Sequence, residues 1–228
     1  MAQLQELRLT VSETGAEVAG LLVRPPDARF LYVLAHGAGA GMRHPFLERL
    51  AQGLARLGGA TLRYQFPYME RKQRRPDLPA VAVAAVRAAV AAAAREAPDL
   101  PLIAGGKSFG GRMTSTAQSA APLSGVRGLA FVGFPLHPPG KPATTRADHL
   151  AAVEIPMLFL QGDRDEFAEL ILLRQVVRAL GGRATLHLVK SGDHSFNVPK
   201  SSGRNTDDVM GELCDTLVAW VSGLTGKA

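Results

Sequence analysis

Residues 105–113 read GGKSFGGRM and set one serine, Ser108, among glycines directly after a short apolar stretch. Two chemistries use residues of this kind. A phosphate-binding loop, G-x-x-x-x-G-K-[ST], turns on its first glycine so that backbone N–H groups converge on phosphates. Here that first position is Pro101, and residues 102–105 have the character of a buried strand, so no loop separates strand from lysine. The alternative is the G-x-S-x-G nucleophile elbow, in which a strand runs straight into a tight turn and then a helix. Gly106, Ser108 and Gly110 match it, Gly111 adds room, and FGGRMTSTAQSA can begin the helix, its N-terminal dipole facing the serine.

A hydroxyl is a weak nucleophile near neutral pH. It needs a histidine to take its proton and a carboxylate to orient that histidine. Downstream, LFLQGDRDEF is an apolar strand ending in an acidic loop, and SGDHSF carries His194 after one further helix and strand. The order serine, acid, histidine is the one expected of a parallel α/β hydrolase sheet. Asp163, Asp165 and Glu166 all lie near the strand end, while Asp193 is expected to brace the loop beside His194. Upstream, VLAHGAG ends another strand at His36. The N–H groups of Ala38 and Phe109 are expected to form an oxyanion hole, and His36 to brace its loop. Neither His36 nor His137 has helical i, i+4 or carboxylate-flanked spacing, so no metal and no cofactor is expected.

The positioning elements follow from periodicity. Apolar segments of strand length at 6–11, 17–23, 30–35, 60–66, 102–105, 128–133, 157–161 and 184–189 alternate with helical segments at 44–57, 79–96, 109–120, 167–180 and 207–224. The first two strands are expected to form an antiparallel hairpin across SETGAE, and the rest a βαβ series that makes a mainly parallel sheet. Residues 134–146, FPLHPPGKPATTR, fit neither period and suggest a binding loop. Both proposed catalytic loops follow carboxyl ends of strands, the edge where such sheets carry their sites.

Bulk properties narrow the setting. The 228 residues, 46% hydrophobic and 20% charged, suffice for one sizeable core, and a single domain over 1–228 is expected. The Ala-rich run 80–94 carries Arg87 and reads as a helix in water, not a membrane span. MAQLQELRLT lacks the basic and apolar segments of a secretory leader, and the one cysteine, Cys214, permits no internal disulfide; a cytoplasmic protein with no membrane partner is expected. The net charge of +6 is spread along the chain, and its one cluster, Arg71, Lys72, Arg74 and Arg75, has no interleaved aromatics, so nucleic acid is not an expected partner. Lys107 and that cluster, if both reached the site, would favour an anionic substrate, the plainer expectation being solvated charge balanced by Asp77 or Glu70. Met42, Tyr68, Phe109, Leu136 and Phe196 are candidates for an acyl pocket.

With these residues in view, the chain resembles the α/β-hydrolase superfamily, in particular its small capless members similar to dienelactone hydrolase. HGAGAGM, FPYME, RRPD, GGKSFGGRM, FPLHPPGKP, QGDRDEF and DHSF look like a group of bacterial hydrolases similar to the hydrolase-like domain of a testis-expressed animal protein and of a nonspecific-lethal chromatin complex subunit. The resemblance implies a mostly parallel eight-stranded sheet flanked by helices, no large cap domain, and a triad of Ser108, Asp165 and His194. It favours Asp165 because related enzymes place the acid three residues after the strand-end glycine, here Gly162. It departs from dienelactone hydrolases at the nucleophile, a cysteine there and a serine here, so the lactone substrate is not implied. The expected activity is serine hydrolysis of a small ester or thioester through an acyl-enzyme. The alternative is a noncatalytic scaffold that keeps the fold to bind proteins.

Overall fold

The computed structural model describes residues 2–12 and 15–226, so Glu13 and Thr14 of the expected hairpin turn lie outside the described residues. Eight strands form one sheet: β1 (Gln3–Val11), β2 (Ala16–Arg24), β3 (Phe30–Ala35), β4 (Gly59–Tyr64), β5 (Leu102–Lys107), β6 (Val126–Val132), β7 (Met157–Gly162) and β8 (Ala184–Val189). Their order is β1-β2-β4-β3-β5-β6-β7-β8. β1 with β2 and β2 with β4 pair antiparallel, and every other neighbouring pair is parallel. This is the α/β-hydrolase fold, without a large cap domain.

Burial on both faces explains why β3, in the middle of the sheet, is buried and mainly apolar at every position. On β3, Phe30, Tyr32 and Leu34 enter one core together with Leu47, Leu50 and Leu54 of α1 (Pro45–Arg56) and Leu213 and Leu217 of α6 (Thr206–Thr225). Leu31, Val33 and Ala35 point the other way, into a core shared with the alanines of α3 (Pro79–Glu96) and Met113 of α4 (Phe109–Ala120). The small side chains Ala82, Ala85 and Ala89, all fully buried, let α3 lie close to the sheet. Among the described residues no helix is long and apolar enough to cross a membrane.

Four segments depart from the periodic reading. β4 ends at Tyr64, and Pro67 starts a single helical turn, α2 (Pro67–Glu70), since proline fits the first helical position where no N–H is needed. Helix α5 (Leu170–Leu180) starts after Glu169, because Phe167 and Ala168 are held in a turn by bonds to Asp165. Residues 134–137 are buried, so the first part of the expected binding loop is core. A 3-10 helix, Thr145–Ala152, follows that loop, where the sequence has no helical period of its own to announce it. The thiol of Cys214 is buried against α1, and burial pushes it up to about 12.

Candidate active site

Ser108 stands between the end of β5 and the first residue of α4 with φ 50° and ψ −114°, a left-handed backbone that a side chain other than glycine rarely adopts. Packing forces the turn to stay tight. A Cβ on Gly106 would come within 2.3 Å of the Ala35 carbonyl oxygen, and one on Gly110 within 2.6 Å of that of His36. Glycine at these two points lets α4 seat directly against β3 and projects the Ser108 hydroxyl out of the sheet edge.

The serine does not stand alone. His194 Nε2 lies 2.9 Å from Ser108 Oγ, and His194 Nδ1 lies 2.7 Å from Asp165 Oδ2. With the Nδ1 proton given to the carboxylate, Nε2 is left bare and faces the hydroxyl. Asp165 is buried and accepts two further bonds, from the Gln161 side-chain amide at 2.6 Å and the Phe167 N–H at 2.8 Å. The Phe167 ring packs on the imidazole with centroids 4.3 Å apart. The structure therefore brings Ser108, Asp165 and His194 into one hydrogen-bonded chain.

The other two aspartates do different work. Asp193 closes its own loop, accepting from the N–H groups of Ser195 and Asn197 at 2.8 Å each. The Asp163 N–H bonds Val189 O, and its buried Oδ1 has no hydrogen-bond partner among the described residues.

Ala38 lines the cavity beside Ser108, in a tight turn closed by the Ala40 N–H on Gly37 O at 3.2 Å. The next N–H, that of Gly39, is taken by the Tyr68 hydroxyl at 3.2 Å. Phe109 opens α4, where N–H groups have no intrahelical acceptor. His36 lies under this turn. Its Nδ1 donates to Gly37 O at 2.8 Å and its Nε2 accepts from the Phe66 N–H at 3.0 Å, while burial lowers its pKa from 6.5 to about 4. The ring is thus a neutral brace between the ends of β3 and β4.

His137 has the same arrangement on the other side of the site. Nδ1 donates to Pro138 O, and Nε2 accepts from the Glu169 N–H at 3.0 Å. The proline-rich segment is therefore tied to the loop that carries Asp165.

A cavity of about 450 Å³ opens on Ser108 and His194. Its apolar wall is Phe46 and Leu47 of α1, Met210 of α6 and Phe167, and its cationic members are Arg49 and Lys107. This corrects the expected acyl pocket. None of Met42, Tyr68, Phe109, Leu136 and Phe196 lines it; Phe109 instead packs edge-on against Phe66 and Tyr68, and Leu136 is core. The basic cluster stays away as well. Arg71 pairs with Asp77 at 2.5 Å, Glu70 pairs with Arg8, and none of Arg71, Lys72, Arg74 and Arg75 lines the cavity. Sequence reasoning missed Gln161, a polar amide inside the apolar run LFLQG; its position just before the acidic loop was the available signal. It also missed Arg49, which sits on an otherwise ordinary amphipathic helix.

A chain with this sheet, an elbow serine and a histidine beside it falls in the class of α/β hydrolases. The family model described as alpha/beta hydrolase domain matches residues 28–222, and the chain belongs to that family. Solved structures share the fold at low identity. Dienelactone hydrolase from Anabaena variabilis superposes with a TM-score of 0.77 at 18% identity, covering 98% of each chain. A serine hydrolase without a lid from Xanthomonas campestris gives 0.73 at 21% identity, over 96% of this chain and 95% of that one. An α/β serine hydrolase homologue from Coxiella burnetii gives 0.72 at 19%, over 95% and 96% respectively.

Proposed function

We propose that this hydrolase is a serine carboxylesterase or thioesterase that works through an acyl-enzyme. Ser108 attacks the substrate carbonyl as His194 Nε2 takes its proton. The tetrahedral oxyanion rests on the Ala38 and Phe109 N–H groups, and the protonated imidazole is stabilised by Asp165. The imidazolium then gives the proton to the departing alkoxide or thiolate, leaving the acyl group on Ser108 Oγ. Water, deprotonated by the same imidazole, attacks that ester, releases the carboxylic acid and restores the serine. The observation that carries this reading is the continuous bonding from Ser108 Oγ through His194 to Asp165, with the serine held at φ 50° on the wall of a cavity.

The wall of Phe46, Leu47 and Met210 suits a short acyl chain or a small apolar leaving group. Arg49, whose guanidinium has no hydrogen bond or ion pair among the described residues, adds a preference for substrates carrying a carboxylate. We place the enzyme in the cytoplasm, since Cys214 is its only cysteine and no internal disulfide calls for an oxidising compartment.

A fluorophosphonate probe tests the reading. Folded wild type is expected to be labelled on Ser108, with labelling and p-nitrophenyl ester hydrolysis both abolished in Ser108→Ala and His194→Ala. A folded wild type that is neither labelled nor active on esters and thioesters of graded length would favour the scaffold reading instead.

A further inference from the structure

We propose that Lys107 is the positioning residue of this site: its ammonium clamps the main chain of His194 and so holds the base over Ser108. The proposal rests on the hydrolase reading above. Lys107 is the last residue of β5 and directly precedes Ser108. Its side chain does not reach out as a substrate cation. It runs off the strand past the turn at Gly37, and Nζ donates to the carbonyl oxygen of His194 over 2.6 Å. One residue therefore joins the strand that delivers the nucleophile to the loop that delivers the base, by a route separate from the Ser–His bond.

The surroundings are shaped around this ammonium. Gly133, at the end of β6, has φ 71°, and a Cβ there would sit 2.9 Å from Nζ and 3.4 Å from His194 O. Phe196 holds a left-handed φ of 64° and presents its ring 5.5 Å from Nζ. The remaining hydrogen bonds of the His194 loop run largely within it, through the Asp193 carboxylate, and Phe196 anchors it by packing into the core against Phe46. Its tie to the body of the fold by way of Gly192, which accepts from the Arg164 N–H at 2.9 Å, lies on the far side of Asp193.

A charge-assisted bond is roughly twice as strong as a neutral one, and it matters here because a base displaced by about 1 Å can lose on the order of 10²-fold in rate. The carboxylates of Asp165 and Asp193 face the ammonium and favour it, while burial is the larger effect and lowers its pKa from 10.5 to about 8. The His194 imidazole is the remaining titratable neighbour.

The experiment compares Lys107→Met, which keeps the stem and removes the donor, with Lys107→Arg, on p-nitrophenyl butyrate across pH. In folded Lys107→Met, kcat is expected to fall about 10- to 100-fold while KM for this neutral ester changes far less, because the apolar wall of Phe46, Leu47 and Met210 is kept and the lost donor serves His194 O. Wild-type kcat is expected to decline as pH rises through about 8, where the ammonium is lost. That decline is expected to disappear in Lys107→Met and to move to higher pH in Lys107→Arg. Unchanged kcat in Lys107→Met overturns the proposal. Should that variant fail to fold, an alkaline decline in Lys107→Arg at the same pH as in wild type overturns it equally. An unlabelled, inert wild type removes the hydrolase reading and this one with it, whereas an active wild type with an indifferent Lys107 removes this one alone.

Discussion

Gln161 donates its side-chain amide to Asp165 Oδ2 over 2.6 Å, and its carbonyl accepts the Phe134 N–H at 2.8 Å. A fully buried glutamine thus orients the acid and at the same time satisfies the main chain at the start of the proline-rich segment. Replacing it with leucine leaves a buried N–H and a carboxylate lone pair without partners, at about 1–3 kcal/mol for each such group. Gln161→Leu is therefore expected to lose about 2–6 kcal/mol in urea unfolding and about tenfold in kcat. Unfolding at the wild-type midpoint, with unchanged kcat, would contradict this role.

The assignment of the acid separates cleanly by mutation. Asn at 165 can donate to Nδ1 of His194, which holds the ring in the tautomer whose Nε2 carries a proton and cannot accept the serine's. Asp165→Asn is expected to leave the near-ultraviolet circular dichroism intact while lowering kcat roughly 10³- to 10⁴-fold. Asp163, whose Oδ1 meets no partner among the described residues, is expected to tolerate the same change within about threefold. A larger loss at 163 than at 165 would exchange the two roles.

How much of this was legible in the chain differs by feature. The alternation of apolar runs with helical periods makes the strands legible, because a strand covered on both faces is mainly apolar whichever face each residue meets, buried polar residues such as Gln161 being the exception. The elbow was legible because glycine, serine and glycine at alternate positions form a local pattern, although the contacts that require Gly106 and Gly110, with Ala35 and His36, come from a distant part of the chain. The walls of the cavity were not. Phe46, Leu47 and Met210 come from two helices, α1 and α6, that pack against each other although about 160 residues of chain separate them, and nothing in their local pattern distinguishes a cavity wall from core. Lys107 misled for the same reason, since adjacency to Ser108 says nothing of where a long side chain goes, and it goes to His194.

Arg49 gives the cavity a cation whose guanidinium has no partner among the described residues, and none of the described residues lining that cavity is Asp or Glu. A substrate whose acyl chain ends in a carboxylate is expected to show a several-fold higher kcat/KM than a neutral ester of equal length, an advantage that shrinks with added salt because the guanidinium is exposed. Arg49→Met is expected to equalise the two substrates while leaving the neutral ester's kcat within about twofold. Hemiesters of succinate and glutarate against their neutral counterparts supply the comparison. Equal rates for both classes in wild type, at low and high salt alike, would exclude Arg49 as a selector.

His36 links the turn at Gly37 to pH through stability. Its folded pKa, lowered to about 4 by burial, lies below the 6.5 of the free side chain, so the unfolded chain binds a proton that the folded chain refuses across that interval. Unfolding free energy is therefore expected to fall as pH drops from 6.5 towards 4 and to lose nothing more from this group below that. At about 1.4 kcal/mol per unit the loss approaches 3 kcal/mol. Protonated Nε2 can no longer accept the Phe66 N–H, which is the structural form of the same cost. Glutamine at this position keeps an acceptor and does not titrate. Carboxylates titrate in the same range in both proteins, so the difference between wild type and His36→Gln in urea unfolding isolates the histidine. The variant is expected to begin less stable near neutrality by about 1 kcal/mol, having given up the Gly37 bond, and to close that gap as the pH is lowered. Parallel stability curves for the two proteins down to pH about 4 would mean that the ring is not the neutral, buried brace described above.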